Sequence, residues 1–218
     1  MLCIGQVGVR GMPEAKSARE QTKARHRRAL IEATADAIAE HGLAAVSVSR
    51  ILEKAGLSRG MVNLHFSSKN NLLLSVAEQF SEDYTRHWIV AMEGAGIRPE
   101  AQLRAIIDAD FDPVVLNRRT MAVWFAFRGE AHSSPEFMPF IDSRDAKMQR
   151  TITSICRELC KRGANPGTDP QIAALSIIAL LEGLWTDYYL HPDRFDRDTA
   201  RAVVLHTARA FFPETFEV

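Results

Sequence analysis

The chain has 218 residues, 46% hydrophobic and 25% charged, enough for a buried core in one folded body or two small ones. Its formal charge is zero but unevenly placed: residues 1–69 carry eleven Lys and Arg against six Asp and Glu, and residues 70–218 sixteen against twenty-one, so the first third is the part suited to a polyanion. The densest apolar run, Ile172 to Leu181, is well short of the ~20 residues of a bilayer span, and three cysteines, Cys3, Cys156 and Cys160, without metal-ligand spacing point to reduced thiols in a cytoplasmic protein.

Residues 1–20 follow no apolar period and are expected to form a flexible arm; their opening lacks the charged start and cleavage site of a secretory signal. A basic cluster follows, Lys23, Arg25, His26, Arg27 and Arg28. Leu30, Ile31, Thr34 and Ile38 then recur at helical spacing as far as Gly42, a glycine placed to end a first helix. Ser47 suits the N-cap of a short second helix that turns Val48, Ile51 and Leu52 inward, and Ala55-Gly56 suits a tight turn. Ser58 is placed to cap a third helix from Arg59 to about His65, with Val62 and Phe66 on one face and Arg59, Asn63 and His65 directed elsewhere. Two short helices joined by a glycine turn are the helix-turn-helix arrangement.

Ser67-Ser68-Lys69 opens a long fourth helix through Leu72, Leu73, Val76, Phe80, Tyr84 and Trp88, which ends near Gly94-Ala95-Gly96. Sparse prolines and abundant Ala, Leu, Glu and Arg keep the remainder helical. Helices are expected over 99–111, from Pro113 through Trp124 and Phe127 toward Pro135, and over 137–162, 169–190 and 199–212. The 169–190 helix is apolar nearly all round its first half, which suits burial against both its own domain and a second copy. The expected fold is all-α: an arm over 1–20, a helix-turn-helix domain over 21–68, and a larger ligand-binding and dimerisation bundle over 69–218, joined through the long fourth helix.

Residues 46–73, VSVSRILEKAGLSRGMVNLHFSSKNNLL, bring the capping, turn and apolar signals together in one order. Gly42, Ser47, Ala55-Gly56, Ser58-Arg59-Gly60, Phe66 and Ser68-Lys69, at these spacings, resemble the TetR family of transcriptional regulators. The resemblance implies that the third helix is a recognition helix entering the major groove of DNA. It makes Arg59 and Asn63 the candidates for base contacts, because Arg reads guanine and Asn reads adenine by paired hydrogen bonds. Ser47, His65 and Lys69 are the candidates for phosphate contacts, with Arg28 and Ser58 beside them and Gly60 allowing close backbone approach. Where the family often has Tyr this chain has Asn63, so its operator sequence cannot be copied from relatives.

Further on, Phe111-Asp112, the Met121-x-x-Trp124-x-Ala126-Phe127 pattern and Gly183-Leu184-Trp185 resemble the BetI-like, choline-responsive branch of the same family. By that resemblance Phe111, Trp124, Phe127, Trp185 and Tyr188 surround a quaternary ammonium, with the Asp112 carboxylate assisting. Arg128 stands where such proteins tend to have another aromatic, and a cation there suits an anionic ligand better. Other chemistries fail on named residues. Asp108-x-Asp110-x-Asp112 starts like a calcium loop, but Pro113 takes the place of its glycine and Arg119 that of its final Glu. No Walker loop, G-x-S-x-G elbow or H-E-x-x-H helix occurs.

The sequence reads as a cytoplasmic, non-enzymatic homodimeric repressor without a cofactor. It is expected to bind a palindromic operator in double-stranded DNA and to leave it on binding a small-molecule effector, choline or another quaternary amine, as in control of choline and glycine betaine metabolism. The alternatives are a same-family regulator of a different, anionic small molecule and a helical ligand-binding protein that does not bind DNA.

Overall fold

A computed structural model of the chain describes residues 18–163 and 165–214, and among them every regular element is helical. The expected arm lies outside these residues except for its last three, which already belong to α1 (Ala18–His41). Only the second half of α1 is buried, through Leu30, Ile31, Ala33, Thr34, Ala35, Ala37 and Ile38. Thr34 donates its hydroxyl to the Leu30 carbonyl at 2.7 Å, so its burial leaves no unmade bond. Gly42 ends the helix at φ +76° and ψ 160°, a positive φ that favours glycine. After a short 3-10 turn (Leu43–Ala45), α2 (Val48–Ala55) starts at Ser47, whose Oγ accepts the Arg50 N–H at 3.3 Å, and it ends at Gly56, φ +63°.

Helix α3 (Met61–Phe66) begins two residues later than a Ser58 cap implied. The Ser58 carbonyl, not its hydroxyl, receives the Met61 N–H at 3.0 Å, and Arg59-Gly60 form a turn. That backbone turn already satisfies one free N–H, and Gly60 is a weak helix former. Helix α4 (Lys69–Gly94) is capped by Ser68, which accepts the Asn71 N–H at 3.0 Å.

Pro99 lies in the first turn of α5 (Pro99–Asp110), as expected, but Pro113 does not open the next helix. Asp112 instead closes a turn by accepting the Val114 N–H at 2.8 Å, and Arg197 donates to the Phe111 and Leu116 carbonyls. Helix α6 (Arg118–Glu130) starts only after Asn117, whose Oδ1 accepts the Thr120 N–H at 2.9 Å. A true side-chain cap at 117 outweighs the fitness of proline for a first helical turn. Phe137 falls in a second 3-10 turn (Pro135–Phe137) ahead of α7 (Met138–Gly163). Asp169 and Asp196 then cap α8 (Pro170–Leu190) and α9 (Arg197–Phe211).

The buried apolar side chains form two clusters. One joins α1, α2, α3 and the start of α4, and takes in Val123 and Phe127 of α6 together with Phe137. The other fills the bundle of α4 to α9 with Trp88, Leu103, Ile106, Met121, Trp124, Ile152, Ile177, Trp185 and Val204 among its members. Helices α4 and α6 therefore enter both: Leu72 and Val76 the first and Trp88 the second, Phe127 the first and Trp124 the second. Helix α8 has the length and composition of a bilayer span, but its stripe of Ala173, Ala174, Ile177, Leu181 and Trp185 is buried where α7 and α9 pack on it.

Candidate nucleic-acid interface and internal cavities

Ile51, Leu52, Val62 and Phe66 lock α2 and α3 onto α1. Fixing those faces leaves Ser58, Arg59, Gly60 and Asn63 exposed along the start and outer side of α3. Neither the Arg59 nor the Asn63 side chain is engaged in a hydrogen bond or ion pair among the described residues. Gly60 has an ordinary φ of −74°, and a Cβ built on it meets nothing within 4 Å, so nothing inside the chain requires glycine there. Leu64, 69% exposed on the same helix, is missed by the sequence reading. Its signal was available, since residue 64 lies about 200° round the helix from residue 62.

The other positions differ in how free they are. Arg28 is exposed on α1. Ser47 is half-buried, its hydroxyl serving as the α2 cap and lying 3.0 Å from Ser49 Oγ, and Lys69 is the half-buried first residue of α4. Arg27 is exposed, its guanidinium lying 5.0 Å from the Phe66 ring and donating to Ser75 Oγ at 3.2 Å, which clips α1 to the junction of α3 and α4. His65 departs from the expected phosphate role. Both ring nitrogens are enclosed with no partner among the described residues, and the ring stands edge-on to His26 at 6.0 Å. Burial, aided by the charges of His26, Lys23 and Arg27, holds its pKa below the ordinary 6.5. So placed, His65 presents neither ring nitrogen at the surface where a phosphate would lie.

Within the bundle, Tyr84 of α4, Trp124 of α6 and Trp185 of α8 form an aromatic cage, and its occupant is a side chain of α7. The Arg144 guanidinium carbon lies 4.1, 3.8 and 4.9 Å from the three ring centroids, and Arg144 is 4% exposed. Such distances are those of cation–π attraction, which is strongest when water is excluded. Arg144 Nη1 donates to Asp145 at 3.0 Å and lies 3.8 Å from Glu182, whereas Nε is enclosed without an acceptor among the described residues. Arg128 pairs with Glu182 and approaches Asp145 at 3.9 Å. Tyr84 Oη donates to the buried Asp110 at 2.7 Å. Burial pushes the Asp110 carboxyl up to about 7 against the opposing pull of the Tyr84 hydrogen bond and the Arg144 charge.

Two cavities adjoin the cage and share Tyr84, Arg144 and Trp185 as a common wall. The first, about 230 Å³, lies toward Phe80, His87, Val115 and Met121; the second, about 220 Å³, lies toward Met148, Leu175 and Ile178. Arg119 also lines the first cavity and ties α6 to α1, Nε reaching Asp36 at 2.5 Å and Nη2 reaching Glu32 at 2.7 Å.

Of the six residues expected around a ligand, only Trp124 and Trp185 come together here. Phe111 is buried in the bundle core, and Asp112 closes the loop before α6 with His87 at 3.7 Å. Phe127 lies about one turn beyond Trp124, where it meets Phe137 at 5.0 Å in the other cluster, and Tyr188 packs edge-on against Phe195 at 5.3 Å. Tyr84 and Arg144 were not foreseen. Arg144 did leave a trace, as a charge in the apolar stripe Ile141, Arg144, Met148, Ile152 of α7.

Among known proteins, residues 30–76 match the family described as bacterial regulatory proteins, tetR family, and residues 99–213 match that described as BetI-type transcriptional repressor, C-terminal. The HTH-type transcriptional regulator BetI of Stenotrophomonas maltophilia is 31% identical over 177 residues, 81% of this chain and 88% of that one. BetI of Yersinia pestis is 28% identical over 188 residues, 82% of this chain and 88% of the relative. A solved transcriptional regulator of Pseudomonas aeruginosa PAO1 is 27% identical with a TM-score of 0.75, covering 88% of this chain and 90% of its own. A regulator of Saccharomonospora viridis, solved in complex with choline, shares the fold with a TM-score of 0.74 at 20% identity, over 83% of this chain and 94% of its own.

Proposed function

The chain belongs to the TetR family of transcriptional regulators, and from that premise we propose that it is a homodimeric, effector-released repressor of BetI type that reads a palindromic operator with α3. The observation that carries this reading is the outer side of α3 and the turn before it, where Arg59, Asn63 and Leu64 stand unengaged opposite an inner side held by Val62 and Phe66. Arg59 and Asn63 read base edges, and Leu64 supplies an apolar contact to thymine methyls. Arg28, Ser47, Ser58 and Lys69 hold phosphates and set the register. The open space at Gly60 lets the DNA backbone approach.

The 21–68 segment serves as the reader and 69–218 as the ligand-binding and dimerising part. Ile172, Leu175, Tyr189 and Leu190 of α8 and Val203 of α9 are exposed, an apolar surface that a second copy covers by two-fold pairing. Such a dimer sets its two α3 helices about one DNA turn apart. Release follows from α6, which carries Trp124 at the cavity, Phe127 in the reader cluster and Arg119 on α1. A ligand that favours another position of α6 favours another spacing of the readers.

Fluorescence anisotropy of the purified protein on DNA flanking its own gene, at fixed salt, tests this reading; no selective binding to native or selected DNA overturns it. Arg59→Ala is expected to relax preference at one base position by about 1–3 kcal/mol, whereas Lys69→Ala weakens all DNA similarly and lowers the salt slope by about 1. The reverse pattern exchanges their roles. Replacing thymine by uracil in a selected site is expected to weaken the wild type roughly fourfold at positions facing Leu64, one methyl being worth about 0.8 kcal/mol. Leu64→Ala then shows no such dependence; equal sensitivity in both proteins removes Leu64 from the readout.

A further inference from the structure

We infer that the effector is a small carboxylate with an apolar body, bound by Arg144 in the cage of Tyr84, Trp124 and Trp185, and not a quaternary ammonium. The inference rests on the regulator reading above and names the ligand class of its cavity. The seat a quaternary amine needs is taken: the Arg144 guanidinium lies 3.8 to 4.9 Å from all three ring centroids. A second cation there meets a like charge at close range in surroundings that screen it weakly.

Arg144 is, moreover, incompletely bonded. Its Nη1 meets Asp145 and Glu182, and the enclosed Nε has no acceptor among the described residues. A buried cation is costly unless its donors are satisfied. The missing partner is therefore an acceptor, and the group that fits the side edge of a guanidinium is a carboxylate taking two parallel hydrogen bonds. Arg144 lines both adjoining cavities, so a carboxylate in either lies beside its side chain.

Room for the ligand body exists on both sides of this wall, in cavities of about 230 and 220 Å³. Phe80, Val115 and Met121 form the apolar part of the first lining and Met148, Leu175 and Ile178 that of the second, each beside charged side chains. Glu32 and Asp83 on the first cavity pair with Arg119 and Arg86, and Asp110 on the second accepts the Tyr84 hydroxyl. Arg128 holds Glu182 and approaches Asp145, so both keep a cation when the free edge of Arg144 is engaged.

The test is calorimetric titration of the full chain with benzoate, phenylacetate and hexanoate, with the neutral amide of each, and with choline. At least one carboxylate is expected to bind once per chain, about tenfold or more tighter than its amide. Arg144→Lys keeps the charge but loses the flat fork and is expected to weaken that binding about tenfold; Arg144→Ala abolishes it and opens the cage to choline. Unchanged melting of Arg144→Lys shows that the loss is not one of folding. A wild type that binds choline more tightly than any carboxylate, or prefers no carboxylate to its amide, overturns the inference. Anisotropy on selected DNA in parallel keeps the two readings apart: failure to bind DNA overturns the regulator, whereas DNA binding without carboxylate preference overturns the ligand class alone.

Discussion

Replacing Phe127 by alanine is expected to lower stability by about 3–5 kcal/mol and the melting temperature by roughly 10 °C. The side chain is 2% exposed and lies in the cluster of α1, α2, α3 and α4 although it belongs to α6. Its ring meets Phe137 at 5.0 Å with an interplanar angle of 56°, a tilted aromatic pair that adds to the area buried. Removing it leaves a cavity that the surrounding helix packing cannot readily close, because α1 is also held to α6 by Arg119 on Glu32 and Asp36. DNA affinity is expected to fall along with stability even though Phe127 is not on α3, since the recognition helix is positioned by this same cluster. Phe127→Leu, which keeps most of the volume, is expected to cost under about 1.5 kcal/mol. Thermal and denaturant unfolding check both variants. An alanine variant within about 1 kcal/mol of the wild type shows that the reader does not depend on α6 for its core.

Asp110→Asn is expected to stabilise the protein, and more so in mild alkali than in acid. Asp110 is 2% exposed, and burial raises its pKa from 3.8 to about 7. Between those values the native state keeps a proton that the unfolded chain has released, so the unfolded state binds fewer protons and stability falls as pH rises from about 4 to about 7. Below pH 4 both states are protonated and the penalty is absent; above 7 it is fully present and constant. Asparagine stays neutral throughout and retains an oxygen to accept the Tyr84 hydroxyl, now 2.7 Å from Asp110 Oδ1. The advantage of the variant is expected to grow by on the order of 2 kcal/mol between pH 5 and pH 8. Denaturant titrations at the two pH values measure it, and an advantage that is the same at both, or larger at pH 5, contradicts a raised Asp110 pKa.

Much of the architecture was legible because it is written in local signals. Ser47 and Ser68 cap α2 and α4, and Asp169 stands at the head of α8, each through its own side chain. Gly42 and Gly56 take the positive φ that their positions called for. Val62 and Phe66 are buried as their i, i+4 spacing implied. Where local rules competed, the reading slipped. Pro113 and Asn117 both qualify as helix starts, and only the hydrogen bonds of Asp112 and Arg197 decide for Asn117. The Ser58 hydroxyl and carbonyl are likewise rival ways to receive a helix-start N–H, and the carbonyl prevails.

The sequence by itself determined an all-helical chain, a capped helix-turn-helix and its family, since caps, turn glycines and apolar periods act within a few residues of one another. Tertiary structure alone decided which aromatic side chains share a cage, because that depends on how α4, α6, α7 and α8 turn against each other. It separated Trp124 from Phe127 into different clusters, brought Tyr84 beside Trp185, and closed His65 against His26. It also set Arg144 among three rings drawn from three other helices. A buried guanidinium persists only where distant elements jointly supply aromatic faces and acceptors, a condition that no spacing along one helix expresses.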